Sequence, residues 1–323
     1  MGLGKEVRIR TILAAGACLA AALALGGGAS AASKAGGACD KACLTALTDK
    51  YLEALLAHQP GRVPAASTVK FTENSIRLKL GDGLWQTVDG VKPFNLTVAD
   101  DKTGEAASFR IVTENGTPAM LAYRLRAQGG KITEIETFVV RKLSGIHGNF
   151  ETVPDLNPAW GETLPASARP SRAELIKVAN AYFDGIEQAN GDIVPFIDET
   201  DRLENLTKTS PGMRNGKMTT ARESFNSKVF NYIKKVDGRR FLVIDEARGI
   251  IVANYMFQHP GNIRQVTGPD NKTIQITGPL ASYPNTTSGL EAFRVKNGKL
   301  DHILSYVVLN AYRQPSGWEA VKK

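Results

Sequence analysis

The chain has 323 residues, of which 42% are apolar and 22% charged, with a formal net charge of +8. This is a globular composition with room for two hydrophobic cores. The basic residues are scattered among acids, in runs no longer than Lys234-Lys235 or Arg239-Arg240, which argues against a nucleic-acid footprint clustered on one face.

Residues 1–31 read as a signal peptide. Lys5, Arg8 and Arg10 precede an Ala/Leu/Gly-rich run, and Ala29-Ser30-Ala31 offers a small-x-small cleavage site. The alternative is a membrane anchor, but the run is near the spanning minimum, rich in Gly and Ala, and has no stop-transfer charges behind it. Cleavage implies an exported chain, periplasmic or extracellular, of net charge +6, because three bases and one acid leave with the leader. No other stretch is long and apolar enough to cross a bilayer, so no stable membrane insertion is expected after cleavage. Cys39 and Cys43 are then the only cysteines. Their i, i+4 spacing at a helix start puts the Cα atoms about 6 Å apart, within disulfide reach. Export favours that bond over two free thiols. N-x-S/T sequons at Asn95, Asn115, Asn205, Asn271 and Asn285 matter only in a eukaryotic host, and the Ala-rich leader is of bacterial type.

The first helix carries one apolar stripe, Leu44, Leu47, Tyr51, Leu55 and His58, at three- and four-residue steps. It stops at His58-Gln59-Pro60-Gly61. Strand-type sequence follows at 109–112, 119–127 and 132–140, with Asn115-Gly116 and Gly129-Gly130 as hairpin turns. A linker at 146–170 holds Pro154, Pro158, Pro165 and Pro170. Ser171 and Glu174 then open a second helix as a capping box, and its stripe is Leu175, Val178, Tyr182, Ile186 and Ala189. An additional helix is expected at roughly 219–236. Strands follow at 241–244, 250–257, 291–295 and 300–309, interrupted by an insertion at 258–289 with its own short strand at 273–277.

These elements occur twice. Residues 51–74 align without a gap with 182–205, so that Tyr51 meets Tyr182 and Glu73-Asn74 meets Glu204-Asn205 at a spacing of 131. Residues 109–125 match 241–257 at 132, and 125–140 match 293–308 at 168. A period of domain length means two copies of one fold rather than a solenoid. A helix followed by a long antiparallel sheet is α+β, with the helix burying its stripe on one sheet face.

The early helical Tyr, the turn into a short strand and the closing hairpin NGKLDHILSYVV resemble the nuclear transport factor two-like superfamily, which includes SnoaL-like and ketosteroid-isomerase-like proteins. More narrowly, CDKACLTALTDKYLEALLAH, FTEN followed by LGDGLW, VIDEARGIIVANYMFQHPG and the terminal PSGW are similar to a family of exported twin-domain proteins. The resemblance implies two tandem cone-shaped α+β barrels, at 39–145 and 171–318. It also implies that the two domains could pair through their sheet faces as an intramolecular pseudo-dimer.

A cone closed by helices makes a pocket of the kind that binds small molecules. Tyr51 and Tyr182 sit mid-stripe, so their phenols either donate to a developing oxyanion or bond a core carbonyl. Glu73 and Glu204 come where a first short strand begins. Each is either a desolvated general base, with Asn74 or Asn205 orienting a ligand, or the end of an Asx-type turn. Asp245 and His259 flank one strand pair and either shuttle a proton or lie on the surface. Trp85, Tyr255 and Arg222 are candidates for an aromatic wall, a pocket hydroxyl and an anion clamp.

No HExxH, G-x-S-x-G or P-loop is present, and the four His are scattered. Neither a catalytic metal nor a cofactor is expected. What the resemblance implies is a cofactor-free lyase, dehydratase or isomerase acting by acid–base chemistry on a small hydrophobic or aromatic molecule. The alternative is a binding protein with no chemistry. Catalytic roles are expected of Tyr182, Glu204, Asp245 and His259.

Overall fold

The computed structural model describes residues 39–142, 147–214, 217–269 and 271–319. The expected leader lies outside the described residues. Helix α1 (Lys41–Leu56) starts at Asp40, whose carboxylate accepts from the Cys43 backbone N–H at 2.8 Å, and the Cys39–Cys43 disulfide spans this cap. A first sheet follows, built from β1 (Ala65–Glu73), β2 (Ile76–Leu78), β3 (Val88–Asp100), β4 (Glu105–Glu114), β5 (Thr117–Gln128) and β6 (Lys131–Arg141). Its strand order is β2-β1-β6-β5-β4-β3, antiparallel except for the parallel pair β1/β6.

The second half repeats this plan. Helix α2 (Arg172–Glu187) opens with the expected capping box of Ser171 and Glu174. Strands β7 (Phe196–Glu204) and β8 (Thr207–Ser210) lead to a short hairpin, β9 (Gly212–Arg214) and β10 (Lys217–Thr219), and to α3 (Ala221–Asn226). Then come β11 (Lys235–Asp245), β12 (Ile250–His259), a second short hairpin β13 (Gln265–Thr267) and β14 (Thr273–Gln275), α4 (Pro279–Ser282), β15 (Asn285–Lys296) and β16 (Lys299–Ala311). The six-stranded order is β11-β12-β15-β16-β7-β8, the first sheet's order read from the other end, again with one parallel pair, β16/β7. The chain is thus two tandem α+β domains, each a helix laid on a mostly antiparallel sheet. Among the described residues no helix is long and apolar enough to cross a membrane.

The register shows which residues correspond. Glu73 pairs Thr137 as Glu204 pairs Ser305, and Tyr123 pairs Thr137 as Glu291 pairs Ser305. The spacings of 131 and 168 therefore mark true equivalents. The middle alignment does not. It matches the β4–β5 hairpin to β11–β12, whereas the strand order makes β3 the counterpart of β11, and β4 that of β12. Opposite Ser108 lies Tyr123, and opposite Ala253 lies Glu291, so 109 corresponds to 254 and not to 241.

Two further expectations change. The helix expected at 219–236 is short: α3 ends at Asn226, Lys228 turns left-handed at φ 65°, and β11 begins at Lys235. Strand β3 is absent from the sequence reading because Gly90 and Pro93 interrupt it. It is an edge strand, and Pro93 falls in a register shift between Lys92 and Asn95, where a missing N–H breaks no ladder bond.

Alternation along each strand gives the first sheet two apolar faces. One face meets α1 around Tyr51, Trp85 and Tyr123. The other joins the second sheet in a single cluster, in which Tyr306 of β16 lies 6.4 Å from Phe94 and 5.4 Å from Phe109, centroid to centroid. Segments leaving each sheet cross to the other half. Residues 147–149 sit on the β7–β8 turn, through Asn149 N–H to the Asn205 carbonyl at 2.9 Å. The tail after β16 reaches the β1–β2 turn. There Gln314 Nε2 donates to the Asn74 carbonyl at 3.1 Å, and Trp318 donates to Thr72 and lies under Lys70.

Candidate functional site

The Glu-Asn pairs that recur in both halves end β1 and β7. Asn74 and Ser75 have φ of 49° and 68°, and Asn205 and Leu206 have φ of 46° and 60°. Two successive left-handed residues make the tight hairpin turn that suits the strand twist, and Asn tolerates that region. Each Asn amide then bonds the neighbouring strand: Asn74 accepts from Val139 N–H at 2.8 Å, and Asn205 from Val307 N–H at 2.9 Å. Asn74 and Asn205 therefore build the turn rather than contact a ligand. Asn205 does one thing more. Its amide donates to the His147 carbonyl at 3.0 Å, which brings His147 over the end of β7.

In the first half the space beneath α1 is filled. Tyr51 packs against Trp85 at 5.6 Å and Tyr123 at 5.0 Å, and the Tyr123 hydroxyl donates to the Thr48 carbonyl. Glu73 accepts from Leu84 N–H at 2.8 Å and from Arg141 at 3.2 Å, so it anchors the turn that inserts Trp85. Gly83 is needed there, because at φ 68° its added Cβ would lie 2.4 Å from the Glu73 carboxylate. Tyr51, Glu73 and Trp85 are thus packed as core and turn residues.

The second half differs at three corresponding positions. Arg202 stands where the first half has Phe71, Glu291 where it has Tyr123, and Tyr255 where it has Arg110. The result is a buried polar cluster. Tyr182, fully buried on α2, donates to Glu291 Oε1 at 3.0 Å and accepts from Arg202 Nε at 2.9 Å. Arg202 also donates to Thr209 Oγ1 at 2.8 Å and pairs with Glu204. The other Glu204 oxygen meets His147 Nε2 at 2.7 Å. Tyr255 shares a hydrogen bond with Ser305 at 2.9 Å and lies beside Glu291.

Burial sets the ionisation of this cluster. It pushes the Glu291 carboxyl up to about 7, despite Arg202 nearby. Burial also opposes charge on Glu204, but Arg202 and His147 outweigh it and hold that carboxyl well below the usual range. This is opposite to the desolvated base expected at Glu204. The hydrogen bond to Glu204 raises His147 above an ordinary imidazole, and burial lifts the Tyr182 and Tyr255 phenols far out of reach of ionisation.

Beside the cluster lies a cavity of about 40 Å³. Its polar wall is Arg202, Glu204, His147, His259 and Thr287, and its apolar wall includes Phe230, Tyr232, Phe257 and Leu280. His259, the last residue of β12, is 1% exposed; its ring meets the Phe257 backbone, and no side chain hydrogen-bonds either nitrogen. Tyr232 stacks on it at 5.4 Å, and burial lowers its pKa to about 4. Tyr182, Glu291 and Tyr255 stand behind this wall and do not line the cavity.

Two expected site residues lie elsewhere. Asp245 ends β11 and accepts from Lys41 at 2.6 Å and Arg248 at 2.6 Å. Burial alone would raise its carboxyl, but these two cations outweigh it and bring it below the usual range. Its counterpart Asp100, at the end of β3, meets Arg172 at 2.9 Å and Ile244 N–H at 3.1 Å. Each Asp thus takes the first side chain of the other half's helix, so Asp245 is held as an inter-domain clamp, away from the Tyr182 cluster. Arg222 donates to the carbonyls of Gly191 and Phe196, both at 3.0 Å, and lies 3.7 Å from the Asp192 carboxylate, so it ties a turn. Among the described residues no group of three or more His, Cys, Asp or Glu is arranged to hold a metal ion.

Residues 168–306 match a family described as a domain of unknown function, DUF8021. No curated protein matches the chain. The chain is similar to solved structures of small α+β proteins. One is an NTF2-like protein of unknown function from Cytophaga hutchinsonii (10% identity, 30% of this chain and 88% of that one, TM-score 0.25). Another is an NTF2-like protein from Burkholderia thailandensis (17%, 29% and 88%, TM-score 0.23). A third is AusH from Aspergillus nidulans (13%, 43% and 86%, TM-score 0.28). Each of these spans no more than one half of the chain. The α+β plan of each half, one helix across a six-stranded sheet, agrees with what the resemblance to the nuclear transport factor two-like superfamily implies. The chemistry has to be argued from the cavity itself.

Proposed function

We propose that the second half is an acid–base site for a small molecule, of the lyase, dehydratase or isomerase type, in an exported protein. The observation that carries this reading is the convergence on one cavity of the bonded Glu204–His147 pair, Arg202 and the buried His259. Glu204 and His147 are the proton-transfer pair, because a carboxylate bonded to one imidazole nitrogen raises the basicity of the ring. Arg202, itself oriented by Tyr182, fixes the carboxylate. The first half, filled by its own aromatic side chains, is scaffold. A purely binding role is the second reading, favoured by the small cavity volume.

Exchange of solvent deuterium into the α-carbons of cyclohexanone and acetophenone, followed by NMR, separates the two. The expected result is catalysed exchange that falls at least about 100-fold in Glu204→Gln and His147→Gln, as loss of a positioned acid–base group does, and persists in Tyr51→Phe. Exchange equal in all four proteins, or in none above buffer, would favour the binder.

A further inference from the structure

We infer that the cavity takes an uncharged, hydroxyl-bearing aromatic or alicyclic molecule whose hydroxyl hydrogen-bonds His259. This rests on the same cavity as the acid–base reading but concerns what it binds. Almost all buried polar atoms in proteins have a partner, and leaving one without costs stability. His259 is buried with the Phe257 backbone as the partner of one nitrogen and no side chain on the other, at the end of a strand whose other polar groups are satisfied, and it borders the cavity. That is the signature of a group whose partner arrives from outside.

The chemistry of the partner follows from the ring. Burial keeps the imidazole neutral, and the nitrogen that meets the Phe257 backbone is its donor, so the other accepts. A hydroxyl donates to that nitrogen without bringing a charge into the cavity. A carboxylate has no proton to give, and an ammonium would carry its charge into a buried site. On the opposite wall the Arg202 and Glu204 charges are already bonded to each other and to His147 and Thr209, so no ionic partner is left waiting. Apart from Thr287, the remaining wall is largely apolar, with Ile186, Phe230, Tyr232, Phe257 and Val307 in it, which suits a flat apolar body.

Space sets the entry route. About 40 Å³ admits only a few waters, enough for the hydroxyl end. The body needs Leu280 of α4 to withdraw. Leu280 belongs to the excursion between β12 and β15, whose apolar residues Val266 and Ile276 form a small cluster of their own with Val229 and Tyr232.

Four histidines make the test tractable. The protein labelled with ¹⁵N-histidine is titrated with phenol, toluene, benzoate and benzylamine. Phenol is expected to shift the His259 ring signals and to bind about tenfold tighter than the other three, the worth of one buried hydrogen bond. In His259→Phe, toluene still binds and the preference for phenol disappears, while His259→Asn keeps part of it. In Leu280→Ala both phenol and toluene bind tighter. The inference is overturned if benzoate or benzylamine binds as tightly as phenol, if the phenol-to-toluene ratio survives in His259→Phe, or if neither the parent nor Leu280→Ala binds any probe. The titration needs no turnover, so it can fail while the deuterium-exchange result stands, and the reverse.

Discussion

Arg202→Met is expected to lower the free energy of unfolding by about 3–5 kcal/mol at pH 7, the cost of breaking one side of a buried ion pair. The guanidinium is held by Tyr182, Thr209 and Glu204, and its side chain is 8% exposed. Removing it strands Glu204 against His147 alone and leaves the Tyr182 oxygen without its donor. The sign with pH is fixed by Glu204. Its carboxyl sits below the usual range when folded and at an ordinary value when unfolded. The stabilisation is therefore present above the unfolded pKa and fades as pH falls toward the folded one. Urea unfolding of the parent and the variant should show a large gap at pH 7 that narrows below about pH 4. Arg202→Met with Glu204→Gln should recover most of the loss, because both partners are then neutral. A loss below about 1 kcal/mol would mean the pair behaves as an exposed one.

Glu291→Gln should act in the opposite direction. Burial raises the Glu291 carboxyl from 4.5 to about 7. Below pH 4.5 the group is protonated in both states and costs nothing. Between the two values only the unfolded chain releases the proton, so folding stability declines as pH rises. Above about 7 the penalty is complete, at roughly 3 kcal/mol for a shift of this size. The glutamine has no such penalty. Parent and variant are expected to be equally stable near pH 4, and the variant to be more stable by about that amount at pH 8. Parallel pH profiles for the two proteins would show that Glu291 titrates as if in water.

How much of this could be read from the chain depends on the kind of signal. The duplication was legible at its two ends, because a helix stripe with a Tyr and a tight Asn turn are local patterns. In the middle, period-two alternation is common to every hairpin, so β4–β5 and β11–β12 match each other as well as they match their true counterparts. Only the pairing of Tyr123 and Glu291 with equivalent partners settles it.

The site was half legible. Tyr182, Glu204 and His259 were candidates, and all three lie in or directly behind the cavity wall. Glu291 carries a usable signal, because it alternates with Phe293 and Val295, and an acid in line with large apolar residues is informative. Arg202 gave none, because DETDRLEN is polar on both faces. His147 gave none either: it lies outside any periodic segment and reaches Glu204 only because Asn205 holds its carbonyl. Asp245 and Arg222 misled for a related reason. Their chemistry suits a site, but the partners that occupy them, Lys41 and two backbone carbonyls, are distant in sequence.

The account turns on one buried cluster in which two neighbouring carboxyls are driven apart, one kept ionised by Arg202 and the other kept protonated by its surroundings. Carboxyl ¹³C NMR, with Glu204 and Glu291 assigned by their glutamine variants, follows both directly. The predicted result is a Glu291 signal that titrates near pH 7 and a Glu204 signal that stays ionised well into acid. Two signals titrating together in the ordinary carboxylate range would contradict it.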